Sequence, residues 1–338
     1  MNFRVVFTAP IHSDGINIVK NVAEVDVLST PPLSEEELIR SIASADALVP
    51  TLGIEPITRR VIERASRLKI IARHGVGYNN IDIDAATEHG IWVTITPVEE
   101  LLEAVADHAF ALLLCIARNI CRADRFVKSS RWGIDSLDKL YTFTGVGLRG
   151  KTIGIIGLGR IGRRVAERAK GFKMKIVYYD IVRKAEAEEH GIEYRGLEDL
   201  LRESDFIIIA TPLTDRTRDM IGEREISLMK PTAYIINIAR GGIVNQKALY
   251  RALKEGRIAG AALDVFQQEP IPAGDPLLEL ENTVLTPHIA WLTDESRRAM
   301  AITVAEEVTR VLMGEDPKHP VNPKVKEILR AKGKINSR

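Results

Sequence analysis

The stretch that most constrains this chain runs from residue 153 to residue 180 and reads IGIIGLGRIGRRVAERAKGFKMKIVYYD. An apolar run comes first, followed by three glycines at G-x-G-x-x-G spacing, a basic segment, a second apolar run and an aspartate eighteen residues after the last glycine. This order predicts a strand, a tight turn, a helix and a second, parallel strand. A chain that contains such a unit is expected to be an α/β protein.

Each of the three glycines has its own steric role in such a unit. Gly157 permits the tight turn, Gly159 lets the backbone approach a pyrophosphate, and Gly162 allows the helix to pack closely on the strand. Arg160 and Ile161 begin the helix, whose first amides are then directed at the phosphates. The stretch therefore predicts a dinucleotide site, although glycines at strand-to-helix turns are also common for steric reasons alone.

The acid that closes the second strand indicates which dinucleotide is bound. Asp180 is placed to accept hydrogen bonds from both ribose hydroxyls of an adenosine, and its charge repels a 2′-phosphate. NAD is therefore expected rather than NADP. The neighbouring Arg183 and Lys184 are the observation that opposes this preference.

Short apolar, β-branched runs recur along most of the chain with helical segments or loops between them. This alternation predicts an α/β fold with two doubly wound parallel sheets, and a length of 338 residues agrees with two domains. A single long helix is expected from Val98 to about Lys128, an amphipathic helix after Thr293, and a frayed end over 331–338. The predicted strands read RVVFTA, EVDVL, DALVP, LKIIAR and IWVTIT in the first series, and TIGIIG, KIVYYD, DFIIIA, AYIINIA, GAALDV and TVLTP in the second.

Composition and charge exclude several classes of partner. The 47 basic and 46 acidic residues nearly cancel, so neither nucleic acid nor an anionic membrane is expected to bind. The most apolar helical segment, 109–117, is too short to span a bilayer. The N-terminus lacks the pattern of a signal peptide, and Cys115 and Cys121 are expected to be reduced thiols, so a cytoplasmic location is predicted. The acids are dispersed, and no metal site is predicted.

Four residues after later strands are candidates for chemistry. Arg240 follows an apolar strand and precedes two glycines, which places a guanidinium suited to clamping a carboxylate at the sheet edge where ligands bind. Asp264 ends another strand, Glu269 lies five residues further on, and His288 follows a strand and a proline. A glutamate bonded to a histidine fixes the imidazole tautomer and favours general acid/base catalysis. Taken singly, Arg240 would also suit a surface salt bridge, and a lone histidine such as His288 is more often structural.

These motifs together resemble the D-isomer-specific 2-hydroxyacid dehydrogenase family over about residues 45–323. The resemblance implies a Rossmann NAD domain, 99–293, inserted into a flavodoxin-like substrate domain, 1–98 with 294–330. It also implies a homodimer formed through the region around residues 99–145. The motifs that carry it read ARHGVGYNNIDIDAATEHGI, GKTIGIIGLGRIG, ATPLTDRT, MKPTAYIINIARGG, ALDVFQQEP and TPHIAW.

The resemblance assigns a role to each matching position. Arg240 would bind the substrate carboxylate, and His288, with Glu269 as its partner, would exchange a proton with the substrate oxygen. The amides of Val76 and Gly77 would hold the same carboxylate from the other domain. The remaining positions would contact the cofactor, Asp264 through the nicotinamide carboxamide; they are Pro212, Thr217, Ala239 and Asp264.

The family contains several substrate classes, and two remain open. Trp291, in HIAW, favours the glyoxylate and hydroxypyruvate reductases, as does the absence of an arginine at Pro50 and Thr51, where phosphoglycerate dehydrogenases often have one. Arg73, just before the carboxylate loop, favours phosphoglycerate instead, because it is suited to an anionic tail. Glu269 disfavours formate, since formate dehydrogenases have glutamine there. The expected substrate is a small 2-oxo or 2-hydroxy acid, with D-3-phosphoglycerate as the alternative.

A different class of protein shares the fold and the HxAW motif. Corepressors related to this family sense NAD(H) as binding modules and carry out no metabolic reaction. Because Arg240, Glu269 and His288 are all present, an enzyme is the favoured interpretation.

Overall fold

The computed structural model describes residues 3–30 and 34–331. By internal packing the chain divides into two compact units: unit 1 is Met1–Leu101 with Leu292–Arg338, and unit 2 is Leu102–Trp291. Unit 2 thus lies between the two segments of unit 1 in the sequence. Apart from Ala331, the C-terminal end expected to be frayed lies outside the described residues.

Within residues 3–30 and 34–331, all eleven predicted strands are present, together with one that was not predicted, β8. In chain order the twelve are β1 Phe3–Phe7, β2 Ala23–Val27, β3 Ala47–Val49, β4 Ile70–Ala72, β5 Trp92–Thr94, β6 Thr152–Ile156, β7 Lys175–Tyr179, β8 Ile192–Tyr194, β9 Phe206–Ile209, β10 Tyr234–Asn237, β11 Gly260–Leu263 and β12 Thr283–Leu285.

Helices connect most of the strands, and three short segments are 3-10 helical. Among the described residues, no helix combines the length and apolar content needed to cross a bilayer. The α-helices are α1 Ser13–Lys20, α2 Glu35–Ile42, α3 Arg59–Arg64, α4 Ile83–His89, α5 Glu99–Ala117, α6 Ile120–Lys128, α7 Arg160–Gly171, α8 Ala185–Glu189, α9 Leu197–Glu203, α10 Glu223–Leu228, α11 Gln246–Lys254, α12 Asp294–Leu312 and α13 Val325–Ala331. The 3-10 helices are Ile134–Phe143, Gly241–Ile243 and Pro276–Glu279.

Unit 1 contains a parallel sheet of five strands in the order β2-β1-β3-β4-β5. Alternate residues of the same strands enter two separate cores, as the period of two in a strand requires. Val6, Leu48 and Ile71 pack with residues of α2, α3 and α4, whereas Val5 and Phe7 pack with residues of α1 and α12. Helices therefore cover both faces, and the strand order is that of a flavodoxin-like sheet.

Unit 2 contains a parallel sheet of seven strands in the order β12-β11-β10-β9-β6-β7-β8. Its central strands are apolar and fully buried, as in β9, which reads FIII. Starting from β6, the order is that of a Rossmann sheet with β12 added at one edge. The prediction of two doubly wound parallel sheets is confirmed.

The single long helix predicted from Val98 to Lys128 is wrong. It is broken between α5 and α6, where Asn119 adopts a left-handed conformation with φ of 54°. The break brings Cys115 and Cys121 together in a disulfide with a Cα–Cα distance of 6.2 Å. Six residues along a straight helix advance about 9 Å, so the pairing depends on the break. The expectation of reduced thiols is corrected accordingly.

Candidate active site

The candidate site lies at the carboxyl edge of the sheet in unit 2. Because the strands are parallel, the segments that follow β6, β7, β9, β10, β11 and β12 all emerge at this edge. Every candidate residue of unit 2 belongs to one of these segments or to the start of the helix after it. The fold therefore gathers residues that are up to about 130 positions apart along the chain.

His288 and Glu269 form a close pair, as the sequence predicts. His288 Nδ1 lies 2.6 Å from Glu269 Oε2, and the other carboxylate oxygen accepts a hydrogen bond from the amide of Phe266 at 2.9 Å. The two side chains are 30% and 20% exposed, so both are accessible to a small molecule. A histidine oriented by a carboxylate through Nδ1 has Nε2 left to exchange a proton with a ligand.

The backbone of His288 is held in the left-handed region, with φ of 55°. This conformation is uncommon for a residue with a Cβ, and it marks functional turns. The amide of His288 donates to the carbonyl of Asp264 at 2.9 Å, which fixes the turn to the end of β11. The turn that presents the imidazole is thus determined by the neighbouring strand.

Asp264 organises the same turn through its side chain. Its buried carboxylate accepts from the Thr286 hydroxyl at 2.6 Å and from the amides of Ile289 and Ala290 at 2.9 Å each. Burial alone raises the pKa of Asp264, but these bonds and His108 outweigh it and hold the pKa below its usual value. The carboxylate is therefore ionised and supports His288, while its predicted contact with a nicotinamide stays a prediction.

His108 is a residue of this network that the sequence did not reveal. Its Nε2 lies 3.1 Å from Thr286 Oγ1 and 3.4 Å from Asp264 Oδ1, although it belongs to α5, far away along the chain. The only signal was a lone histidine in an apolar helix, a pattern that more often marks a structural residue.

Arg240 lies in the turn that follows β10. The buried side chain of Asn237 spans this turn, donating to the carbonyl of Arg240 at 2.9 Å and accepting from the amide of Ala239 at 3.0 Å. Burial lowers the pKa of Arg240 and the charge of Glu269 opposes that shift. A guanidinium remains charged under such conditions, so the site contains a fixed cation for an anionic ligand.

Gly241 lies where the turn that contains Arg240 packs against the loop that contains Glu269. A Cβ added at Gly241 would lie 1.9 Å from the carbonyl carbon of Phe266, the residue whose amide binds Glu269. The two backbones therefore touch, and only glycine fits between them. Arg240 and Glu269 are positioned by one packed contact.

The glycine-rich turn has the geometry that a dinucleotide requires. Gly157 has φ of 96°, and a Cβ at Gly162 would lie 2.1 Å from the carbonyl oxygen of Gly157, so the turn and α7 are tightly packed. A Cβ at Gly159 would meet no atom within 4 Å, which leaves the space in front of the helix open. Arg160 and Ile161 then begin α7, a helix of 12 residues. This open turn fits a pyrophosphate.

Asp180 follows β7 directly and faces the same turn. Its carboxylate accepts from the amide of Leu158 at 2.9 Å and from that of Val182 at 3.1 Å. The nearby Arg183 binds both oxygens of Glu188, at 2.7 and 2.6 Å. Arg183, one of the two basic residues that opposed the NAD preference, is thus engaged by an acid.

Pro212 and Thr217 lie in the segment after β9. The Thr217 hydroxyl donates to the carbonyl of Pro212 at 2.7 Å and accepts from the amide of Thr214 at 2.7 Å. The structure therefore joins these two predicted residues in one turn at the carboxyl edge.

The two predicted substrate residues of unit 1, Val76 and Gly77, lie in the loop after β4. Arg73 is 8% exposed and binds this loop, donating from Nε to the carbonyl of Gly77 at 3.0 Å. Its Nη1 bonds the carbonyls of Pro50, Thr51 and His74. These bonds engage Nε and Nη1 of a buried side chain, which disfavours the interpretation of Arg73 as a ligand for an anionic tail.

Comparison with known proteins places these features in a family. Residues 110–290 match the profile of the D-isomer specific 2-hydroxyacid dehydrogenase, NAD binding domain. A glyoxylate reductase of Pyrococcus furiosus is 49% identical over 97% of this chain and 98% of its own length. A D-3-phosphoglycerate dehydrogenase of Methanocaldococcus jannaschii is 45% identical over 94% of this chain and 59% of its own length.

Solved structures agree with these sequence relationships. The NADPH-dependent glyoxylate/hydroxypyruvate reductase of Sinorhizobium meliloti, in complex with NADP and malonate, superposes with a TM-score of 0.83 at 28% identity. The alignment covers 96% of this chain and 98% of that one.

Proposed function

Because the chain belongs to the D-isomer specific 2-hydroxyacid dehydrogenase family, a nicotinamide-dependent family of oxidoreductases, we propose that it reduces glyoxylate or hydroxypyruvate. The observation that carries this proposal is the 2.6 Å contact between His288 and Glu269, close along the sheet edge to the turn that contains Arg240. A proton donor and a fixed cation are the two groups that reduction of a 2-oxo acid requires.

We assign the chemistry to three side chains of unit 2. Arg240 binds the substrate carboxylate and polarises the adjacent carbonyl. His288 donates the proton that the carbonyl oxygen needs during reduction and accepts it in the reverse direction, and Glu269 stabilises the imidazolium and fixes its tautomer. The bound nicotinamide supplies the hydride, or accepts it in the reverse direction.

The cofactor is assigned to the open turn before α7. The amides that follow Gly157 and Gly159 hold the pyrophosphate, and Asp180 binds the adenosine ribose. The engagement of Arg183 by Glu188 supports NAD over NADP, because it pairs one of the two nearby cations that a 2′-phosphate would need. Pro212, Thr217, Ala239 and Asp264 are proposed to line the remainder of the cofactor site.

We assign separate tasks to the two domains predicted from the sequence. Residues 99–293 bind the cofactor and carry the acid/base pair, whereas residues 1–98 with 294–330 select the substrate. In the second of these, the amides of Val76 and Gly77 are proposed to hold the substrate carboxylate.

The small acids are preferred over 3-phosphohydroxypyruvate for a structural reason. Arg73 is buried and donates from Nε and Nη1 to backbone carbonyls, which makes it poorly suited to binding a phosphate. The high identity to a glyoxylate reductase over nearly the full length supports the same choice.

The proposal is tested by following NADH oxidation with glyoxylate, hydroxypyruvate, pyruvate and 3-phosphohydroxypyruvate, and by repeating the best reaction with NADPH. We expect the highest kcat/KM with glyoxylate or hydroxypyruvate, and a preference for NADH. Preference for the phosphorylated acid would make the protein a phosphoglycerate dehydrogenase. Tight NADH binding with no turnover on any acid would instead support an NAD(H) sensor.

We also propose a homodimer formed within residues 99–145. Most apolar side chains of α5 are buried, but the segment that follows exposes seven large apolar residues. Such a concentration is typical of an interface. The seven are Ile120, Val127, Trp132, Ile134, Leu137, Leu140 and Tyr141.

A cytoplasmic location is proposed because the nicotinamide cofactor is an intracellular metabolite. The disulfide between Cys115 and Cys121 is the opposing observation, since disulfides are rare in that compartment. Fractionation of the source cells followed by immunodetection tests the location.

A further inference from the structure

We propose that Glu55 and Arg73 form a buried charged clamp that positions the loop bearing Val76 and Gly77, and so sets the affinity for the substrate carboxylate. This clamp consists of the two side chains and the backbone segments 50–54 and 74–77 that they bind. The inference rests on the proposed role of Val76 and Gly77. It concerns positioning residues within unit 1, not residues that touch the reacting atoms.

Glu55 is the first half of the clamp. Glu55 lies in the segment after β3 and is fully buried. Oε1 accepts from the amides of Thr51 and Leu52 at 2.9 and 3.1 Å, and Oε2 accepts from those of Gly53 and Ile54 at 2.7 and 3.1 Å. One carboxylate thus accepts hydrogen bonds from four consecutive amides. Residues 51–54 cannot move without breaking these charged hydrogen bonds.

Thr8, at the end of β1, anchors this carboxylate to the sheet. Its hydroxyl lies 2.5 Å from Glu55 Oε1 and 3.0 Å from the Thr51 hydroxyl. Burial alone raises the pKa of Glu55, but the bond from Thr8, the backbone amides and the charge of Arg73 together lower it. Glu55 is therefore an ionised group in the interior, which is stable only while its partners remain in place.

Arg73 is the second half of the clamp. Its guanidinium bonds carbonyls of both segments, Pro50 and Thr51 on one side and His74 and Gly77 on the other. Two glycines make room for it: a Cβ at Gly53 would lie 2.6 Å from Arg73 Nη2, and a Cβ at Gly75 would lie 3.0 Å from it. Both glycines have positive φ. The backbone is therefore shaped around this side chain.

The clamp has a consequence for binding that a purely structural ion pair would lack. Amides bind an anion well only when they are fixed in advance in the correct direction, because ordering them later subtracts from the affinity. Weakening the clamp should raise the KM for the oxo acid. The value of kcat should change little, because the carboxylate contact exists in both the ground state and the transition state.

The test compares Glu55→Gln with a matched control, Asp46→Asn. Asp46 is also a buried acid of unit 1 with an arginine partner, Arg67 at 2.8 Å, but it precedes β3 and so lies at the opposite edge of the sheet. We expect Glu55→Gln to raise the KM for glyoxylate about tenfold, with kcat within about threefold and the Kd for NADH unchanged. Asp46→Asn should leave all three within about twofold.

A milder variant covers the case in which Glu55→Gln does not fold. Thr8→Val removes a single hydroxyl from the clamp at nearly constant volume, and it should raise the KM about threefold. Suppose that wild type is active and that the folded clamp variants change the KM no more than Asp46→Asn does. The clamp proposal is then wrong, while the proposed function stands.

Hydrogen exchange separates failure of the clamp from failure of the proposed function. If wild type reduces neither glyoxylate nor hydroxypyruvate, the function is overturned, and the clamp is judged on the exchange of amides 51–54 and 75–77. Faster exchange there in Thr8→Val or Glu55→Gln than in Asp46→Asn supports the positioning role. Equal exchange overturns it.

Discussion

At the scale of single residues, the candidate site depends on side chains that hold others in place. Asp264 fixes the turn of His288, and Asn237 fixes the turn of Arg240. Each of these supporting groups is buried and hydrogen-bonded to backbone, which is how a site is kept within a fraction of an ångström of its working geometry. Substitutions at supporting residues should therefore lower activity without any direct contact with a ligand.

Replacement of His288 by alanine removes the proposed proton donor. We expect turnover to fall by about a thousandfold, because general acid/base catalysis contributes roughly that factor. NADH binding, followed by fluorescence, should be nearly unchanged. His190→Ala, which alters an exposed histidine of the same unit, serves as the control and should retain full activity. A His288→Ala enzyme with more than about a tenth of wild-type turnover would exclude this role.

His74 predicts a dependence of stability on pH. Burial, and secondarily the charge of Arg73, lower its pKa from 6.5 to about 3. The unfolded chain therefore binds a proton more readily than the folded one between these values, so stability is complete above pH 6.5 and is lost as the pH falls through this window. The loss of unfolding free energy approaches about 1.4 kcal/mol per pH unit.

Urea unfolding at pH 7 and pH 5 measures this effect. Wild type should lose roughly 2 kcal/mol of unfolding free energy more than His74→Gln does over that interval. His89→Gln, at an exposed histidine of the same unit, should behave like wild type. An identical loss in wild type and His74→Gln would assign the acid sensitivity to other groups.

At the scale of elements, the carboxyl ends of the strands explain how the site is assembled. β10, β11 and β12 are adjacent in the sheet, and they end next to Arg240, Asp264 and His288. Their pairing is parallel and in register, so these residues emerge side by side. Such an arrangement requires only that each strand stop at the correct residue.

This local rule is why much of the fold and site was predictable from the sequence. Gly157, Gly162 and Asp180 act within one βαβ unit, so their spacing alone carries the information. His108 was not predictable, because its contact with Thr286 depends on how α5 packs across the sheet. The bonds of Arg73 were not predictable either, since its acceptors are backbone carbonyls of two separate loops, which no sequence pattern indicates.

The break between α5 and α6 carries a prediction about stability. The disulfide across it spans six residues of sequence separation, and closing a loop of that size stabilises a fold by about 2 kcal/mol. Cys121→Ser should therefore lower the unfolding free energy by about that amount in denaturant titrations. Adding a thiol reductant should lower the stability of wild type equally and leave the variant unchanged. A wild type that is insensitive to reductant would mean that the bond contributes nothing.

At the scale of the whole molecule, the exposed apolar segment from Ile120 to Tyr141 predicts self-association. Light scattering coupled to size-exclusion chromatography should give twice the chain mass of 37.6 kDa. Ile134 and Tyr141 are 87% and 83% exposed, so a double change to glutamate leaves the chain's own core intact and should give monomers. The same double change applied to the exposed Ile181 and Val182 is the control, and it should leave the dimer intact.

The proposed proton donor, its carboxylate partner and the anion-binding arginine all belong to one continuous stretch, from Asn237 to Ala290, inside unit 2. The clamp and the loop of Val76 and Gly77 belong wholly to unit 1. Under the proposed roles, a substitution in residues 1–101 changes how the acid is bound and leaves the proton donor and its partner unaltered. We therefore expect a library of variants in the loops of residues 1–101 to alter the choice of acid more often than it abolishes the reaction.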